Sequence, residues 1–210
     1  MMATSPTTSG QNTSGIPANN DAALVARIAA REEAALREAI AMHAQRLNNI
    51  AYRMLGQRQD AEDVVQEAML RLWDHAPRLA EKGAEKRRSS GAMKLGGWLK
   101  RVTVNLAIDR IRAARRISGE EVPERADQDP LADEQIEAEE ANSAAKSLIA
   151  ELPERQRAAI VLTYYEELPN AEAAGVMDMK LKAFESLLHR ARGALRKAFE
   201  AQQADTGEVA

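Results

Sequence analysis

Three groups of side chains in this sequence have the types and spacing to act at a surface, and none has the pattern of a catalytic centre. The first lies between Pro169 and Phe199, where Lys182, Ser186, His189, Arg190, Lys197 and the neighbouring Arg192 and Arg196 occupy one side of a helical repeat. Lysine and arginine attract phosphates, and Lys182, Ser186 and His189 are polar enough to touch base edges. The second is the stripe Arg101, Asn105, Ile108, Arg112 and Arg115, where an amide among guanidinium groups suits contact with bases and phosphates. The third is acidic: Asp63, Gln66, Glu67, Leu70 and Asp74 recur at helical offsets, and a leucine set among acids and an amide suits docking to a basic partner. The plainer readings are a solvated basic face for the first group, and good helix capping with a stray exposed leucine for the third. An enzymatic alternative is a metal-dependent hydrolase built on Asp60, Glu62, Asp63 and Glu67. Helical spacing divides those acids between faces, and His43, His75 and His189 stand far apart in the chain. No catalytic residue, metal ligand or cofactor is expected.

The elements that must position these groups are helices. A short helix from Asn170 to about Met177 opens on an asparagine suited to capping, and Ala171, Ala173 and Ala174 allow a second helix to cross closely. Asp178 breaks the run. A longer helix follows from about Lys180, with Phe184, Leu188, Ala191, Leu195 and Phe199 as one buried stripe. Short helix, sharp turn and longer basic helix make a helix-turn-helix, although an ordinary amphipathic hairpin has the same outline. Asp60 is expected to cap a helix through Trp73 whose buried stripe is Ala61, Val64, Val65, Ala68, Leu72 and Trp73. Pro77 to Gly97, rich in lysine, arginine and glycine, reads as a mobile basic loop. The helix Trp98 to Arg116 buries Trp98, Leu99, Val102, Leu106 and Ala113, with Asp109 among its apolar positions expected to fix a neighbouring arginine or backbone. Upstream, Leu24, Ile28, Ala35, Leu36, Ile40, Leu47 and Ile50 predict one interrupted helix or two, up to a break at Gly56. Downstream, helix is expected from about Ser143 to Glu151. Pro153 then starts a further helix at its first position, and Ala158, Ile160, Val161, Leu162, Tyr164 and Tyr165 are expected to pack under the helix-turn-helix.

Composition and charge order these pieces. With aromatics at 3% of 210 residues, the cores are built from Leu, Ile, Val, Met and Ala, which favours helices. The absence of cysteine excludes disulfides and thiolate metal sites. No apolar run approaches a membrane span, and the N-terminus lacks the basic start and apolar core of a secretory signal. The net charge of −3 conceals an asymmetry: Asp21 to Arg116 has 19 Lys or Arg against 12 Asp or Glu, while Ile117 to Ile149 has 2 against 10. A basic block and an acidic strap therefore precede a balanced block that ends in a basic helix, so the acidic total does not argue against nucleic acid. The expected organisation is all-α: a disordered tail over 1–20, a helical domain over 21–116, a flexible acidic linker over 117–142, a helix-turn-helix domain over 143–200, and a disordered tail over 201–210.

Taken together, the chain resembles the extracytoplasmic-function (ECF) sigma factors of bacterial RNA polymerase. DAEDVVQEAMLRLW resembles the core-polymerase-binding helix of the first sigma domain, and WLKRVTVNLAIDRIRAARR its minus-ten helix. LPERQRAAIVLTYYEELPNAEAAGVM resembles the opening of the second domain, and LKAFESLLHRARGALR its minus-thirty-five helix. The resemblance spans about Asp21 to Phe199. It implies a sigma2-like bundle and a sigma4-like helix-turn-helix acting in promoter-specific transcription initiation, with no enzymatic activity of their own. It implies that Asp63, Gln66, Glu67 and Leu70 meet core RNA polymerase, and that Arg101, Asn105, Arg112 and Arg115 read the minus-ten promoter strand. The Pro77–Gly97 loop would hold a flipped base, and Lys180, Lys182, Glu185, Ser186, His189 and Arg190 would lie at the minus-thirty-five duplex. It further implies an anti-sigma factor as a partner, a linker threaded through the RNA exit path, and a cytoplasmic protein that an anti-sigma factor could hold near the membrane. Two departures stand out: Asp178 sits at a turn where many members have glycine, and Glu185 sits where some relatives have arginine. An acid at position 185 would accept from a cytosine amino group rather than contact phosphate. The rival reading is a stand-alone helix-turn-helix regulator.

Overall fold

The structure, a computed structural model, describes residues 18–88, 94–118 and 145–207. Every regular element among them is helical. The first half contains α1 (Ala18–Ala29), α2 (Glu33–Leu55), α3 (Arg58–Arg88) and α4 (Leu95–Ser118). The second half contains α5 (145–151), α6 (Glu154–Ile160), a wider π turn over Val161–Tyr165, α7 (Asn170–Val176) and α8 (Leu181–Gly207). The upstream pattern resolves into two helices, α1 and α2. Gly56 ends the second: at φ 78 it takes the left-handed conformation, and its N–H closes back on the Tyr52 carbonyl at 2.8 Å.

Several boundaries differ from the sequence expectation, each for a local physical reason. The basic loop expected over Pro77–Gly97 is largely helix, since α3 continues through Pro77 to Arg88 and α4 already begins at Leu95. An internal proline cannot donate to the carbonyl four residues back, here that of Trp73. Arg31 supplies the missing donor, with Nη1 3.0 Å from the Trp73 carbonyl and the guanidinium 5.0 Å from the Trp73 ring centre. The early start of α4 has a similar remote cause: the Asp21 carboxylate accepts from the Leu95 N–H at 2.8 Å and so caps α4 from another helix. Asp60 lies inside the first turn of α3 rather than at its cap, and it accepts from Arg110. Pro169 and Pro153, in extended conformation, hold the cap positions expected of Asn170 and one residue ahead of that expected for Pro153. The terminal helices reach further than the proposed tails, α1 beginning at Ala18 and α8 running to Gly207 through good helix formers such as Ala201, Gln202 and Gln203. Apart from the first two residues of 117–142, which end α4, the acidic linker lies outside the described residues.

The apolar faces meet in three clusters. Leu24, Val25, Ile28, Leu47, Leu72, Leu95 and Leu99 unite α1 to α4, and Ala51, Ala61, Val64, Ala68 and Leu106 close α3 against α2 and α4. The largest cluster crosses between the halves: Ile50 and Met54 of α2 and Val104, Ala107 and Ile108 of α4 pack with Ile149, Leu152, Ile160, Val161, Phe184 and Leu188. The halves are therefore docked, where the charge pattern had suggested separate bodies on a tether. Ile108 is part of that contact and is 6% exposed, so it leaves the reading stripe to its polar neighbours.

His43 lies within the first half, with Nε2 buried and unbonded among the described residues. Burial lowers its pKa from the ordinary 6.5, the nearby Lys100 and Arg46 add to the lowering, and Asp21 opposes it. A base with a depressed pKa in the folded state is protonated first in the unfolded chain, so its contribution to stability is complete above pH 6.5 and is lost as pH falls toward the folded value. The midpoint of urea unfolding should therefore drop between pH 7.5 and pH 5.5, above the carboxylate range. His43→Gln should flatten that part of the profile, and an equal slope in the variant would move the cause elsewhere.

Candidate nucleic-acid interface

The helix-turn-helix face is held from beneath. Phe184, Leu188 and Ala191 of α8 are fully buried, joined by Leu187, against Ala173, Ala174 and Val176 of α7. The small α7 residues let the two helices approach closely. The expected stripe frays at its end: Leu195 is half-buried and Phe199 stands 51% exposed. Between the helices, Asp178 takes φ 54, the left-handed conformation that aspartate accepts at less cost than most residues. With the apolar side fixed, Lys180, Lys182, Glu185, Ser186, His189 and Arg190 are all exposed, and all but Lys180 line one shallow surface. Ser186 and Arg190 are steadied along the helix, Ser186 Oγ donating to the Lys182 carbonyl at 2.9 Å and Arg190 Nε to the Ser186 carbonyl at 3.3 Å. Arg192 instead covers the Tyr164 ring at 5.5 Å, so Tyr164 is an exposed platform on the surface rather than part of the core as expected.

On α4, Asn105 is exposed, while Arg101, Arg112 and Arg115 are half-exposed and already paired. Arg101 Nη2 is 2.6 Å from Asp178 Oδ2 in the helix-turn-helix turn. Glu154, at the start of α6, accepts from Arg112 Nε at 2.9 Å and from Arg115 Nη1 at 3.3 Å. Burial alone would raise the Glu154 pKa, but the backbone N–H and both guanidinium groups outweigh it and hold the carboxyl below its usual value. Asp109 is exposed rather than set among apolar side chains. Its neighbour Arg110 makes the fixing contacts instead, to the Asp60 carbonyl and carboxylate and to Asp63 Oδ2 at 3.3 Å.

The third face lies along α3. Asp63, Gln66, Glu67, Leu70 and Asp74 are exposed, and Leu70 at 64% is the most exposed large apolar side chain among the described residues. Among the described residues Glu67 is paired only within its helix, to Arg71 at 2.6 Å. The described residues include no group of three His, Cys, Asp or Glu side chains able to hold a metal ion.

Sequence reasoning missed Glu154 and Asp178 as partners of the α4 arginines, and Arg157 as a buried clip between helices. Their partners are distant in the chain, and only the Arg-rich composition of α4 hinted that acids must meet it. Arg157 is buried, and its guanidinium donates to the carbonyls of Met54, Ala150 and Leu152, the last at 3.4 Å.

Comparison with known proteins bears on the same two regions. Residues 39–117 match the family described as Sigma-70 region 2, and residues 143–195 match Sigma-70, region 4. The chain is 33% identical to the ECF RNA polymerase sigma factor SigL of Mycobacterium tuberculosis over 83% of this chain and 94% of SigL. The chain belongs to the ECF RNA polymerase sigma factors. This sigma factor is also 32% identical to SigE of Mycolicibacterium smegmatis over 82% of its own length, and spans 65% of SigE. Its fold is similar to that of the sigma factor RpoE from Bartonella quintana, solved in complex with the anti-sigma factor NepR (TM-score 0.57, 18% identity, 78% of this chain and 96% of RpoE). As a member of that family it is a transcription-initiation factor, built from two all-helical domains. Among the described residues, no helix is long and apolar enough to cross a membrane.

Proposed function

We propose that this sigma factor joins core RNA polymerase in the cytoplasm and directs it to promoters through three faces, leaving phosphoryl transfer to the polymerase. Residues 21–116 form the unit that meets polymerase through Asp63, Gln66, Glu67 and Leu70 and reads the minus-ten strand through Arg101, Asn105, Arg112 and Arg115. Residues 143–200 form the unit that sets Lys180, Lys182, Glu185, Ser186, His189 and Arg190 against the minus-thirty-five duplex. The observation that carries this reading is the outward polar face of α8, seated by the buried Phe184 and Leu188 behind a left-handed turn at Asp178. That is the geometry a recognition helix needs to enter a major groove.

Run-off transcription on genomic DNA with purified core polymerase tests the reading: defined start sites should appear only when this sigma factor is added. Promoter binding of equal strength by the free protein, with no effect on transcription, would instead indicate a stand-alone regulator. Within that assay Lys182→Ala should weaken promoter binding by about 1 kcal/mol or less and reduce the steepness of the salt dependence, because a lysine on phosphate releases counterions. An unchanged salt slope would remove Lys182 from the phosphate contacts.

Anti-sigma control is the second part of the proposal. RpoE, similar in fold, was solved with its anti-sigma factor bound, and here the exposed Leu70 face is open to such a partner. Purification from the native host should retain an anti-sigma protein. Full activity in unstressed cells with no such protein attached would dismiss this control.

A further inference from the structure

We infer that Glu185 sets the base preference of the minus-thirty-five face, admitting cytosine where its carboxylate meets the groove and penalising every other base there. The inference rests on the minus-thirty-five placement of α8 proposed above.

Glu185 is out of character with its surroundings. It is the only acid between Lys180 and Arg192, a stretch that holds four Lys or Arg. It shares one shallow, exposed surface with Lys182, Ser186, His189 and Arg190. The first turn of α8, Leu181 to Phe184, contains no acid, so Glu185 lies beyond the positions where a helix dipole most favours negative charge. Lys182, three residues before it, and His189, four after, are both within reach along the helix. Even so, Glu185 makes no ion pair or hydrogen bond among the described residues. Neither capping nor pairing accounts for an acid at this place.

Base chemistry does. Phosphates repel a carboxylate, so on a face that enters a major groove this side chain weakens binding to any duplex unless a base supplies a donor. In that groove guanine presents only acceptors, and thymine an acceptor and a methyl group. Adenine offers its N6 amino group beside the N7 acceptor, which repels the second carboxylate oxygen. Cytosine offers its N4 amino group with no acceptor of its own beside it. A wrong base therefore leaves the carboxylate desolvated and unpaired, and Glu185 selects by rejecting sequences rather than by adding affinity. Its neighbours supply the attraction. Ser186 Oγ and Arg190 Nε are engaged by backbone carbonyls of α8, which leaves the terminal N–H groups of Arg190, with Lys182 and His189, for phosphates and acceptor edges on either side.

The test uses the full chain with core polymerase, on a promoter found by run-off transcription and randomised across its minus-thirty-five region. Sequencing of the bound fraction should show cytosine enriched about fivefold or more at one position with wild type. Glu185→Gln keeps the shape of an exposed side chain, and an amide can pair with adenine N6 and N7. That position should therefore shift from cytosine to adenine while the others stay unchanged. Duplexes lacking the cytosine should be bound about threefold more tightly by this variant, because a charge facing phosphates is gone. Glu62→Gln, which removes one charge from an exposed position of α3, should do neither. An absence of cytosine preference in wild type, an unaltered preference in Glu185→Gln, or an equal gain in affinity from Glu62→Gln would each overturn the inference. Lys182→Ala with Arg190→Ala separates the two readings. If that pair changes neither affinity nor the bases selected, the minus-thirty-five placement itself is rejected. If the pair weakens binding while Glu185→Gln is silent, only the base preference is rejected.

Discussion

Arg157→Met is expected to lower the free energy of unfolding by about 3 kcal/mol, because it unclips two helix ends at once. The Met54 carbonyl belongs to the last turn of α2, and the Ala150 and Leu152 carbonyls close α5, so all three lie where a helix runs out of its own donors. Arg157 fills that role from α6 with a positive charge, the sign that the negative end of a helix dipole favours. Desolvation works against it: burial, with Arg115 nearby, lowers the Arg157 pKa to about 10, and Glu154 offsets only part of this. Methionine would recover that desolvation cost and much of the packing, so the expected loss is the net of three abandoned carbonyls over one relieved charge. Arg157→Lys should recover part of the loss, since an ammonium can reach some of the same acceptors but lacks the planar fork. Because Met54 is in the first half, the methionine variant should also loosen the docked form, seen as a larger radius of gyration below its unfolding transition. A variant as stable and as compact as wild type would show that water satisfies those carbonyls equally well.

Much of this arrangement was legible in the sequence wherever a single helix determines its own faces. The period of Ala61, Val64, Val65, Ala68 and Leu72 alone sets Asp63, Gln66, Glu67 and Leu70 outward, and the period of Phe184, Leu188 and Ala191 does the same for α8. What could not be read was decided by residues far apart in the chain. Pro77 and the glycine-rich stretch before Trp98 carry ordinary loop signals, yet the Arg31 and Asp21 side chains supply the partners that the Trp73 carbonyl and the Leu95 N–H would otherwise lack. The π turn at Val161–Tyr165 similarly breaks the 3.6 period, so Val161 and Leu162 are buried while Tyr164 turns to solvent. The docking of the halves was hidden by a count of charges that separated a basic block from a balanced one. A block with excess cations attracts carboxylates from elsewhere in the chain, and Arg101, Arg112 and Arg115 meet Asp178 and Glu154.

Phe184→Ala should cost about 3–4 kcal/mol of stability and should remove minus-thirty-five binding before it affects polymerase binding. Phe184 is wholly buried and is the largest fully enclosed side chain among the described residues. It enters the cluster built by Ala173, Ala174, Val176, Ile160 and Leu162, so truncation leaves a void that rigid helix backbones can fill only in part. Its position gives the loss a direction. Phe184 sits between Lys182 and Ser186 in the first turns of α8, and without it the helix can roll or lift while the remaining contacts hold. By contrast, the α3 face that includes Glu67 and Leu70 stands over Val65, Ala68, Met69 and Leu72, which belong to other clusters. Urea unfolding should therefore show the second half melting first, and the variant should still assemble with core polymerase while failing to retain a minus-thirty-five duplex. Phe184→Leu, which keeps most of the volume, should cost less than about 1.5 kcal/mol and preserve duplex binding. If alanine at 184 instead cost under about 1 kcal/mol, or weakened polymerase and duplex binding in step, the recognition helix would not be seated by this side chain.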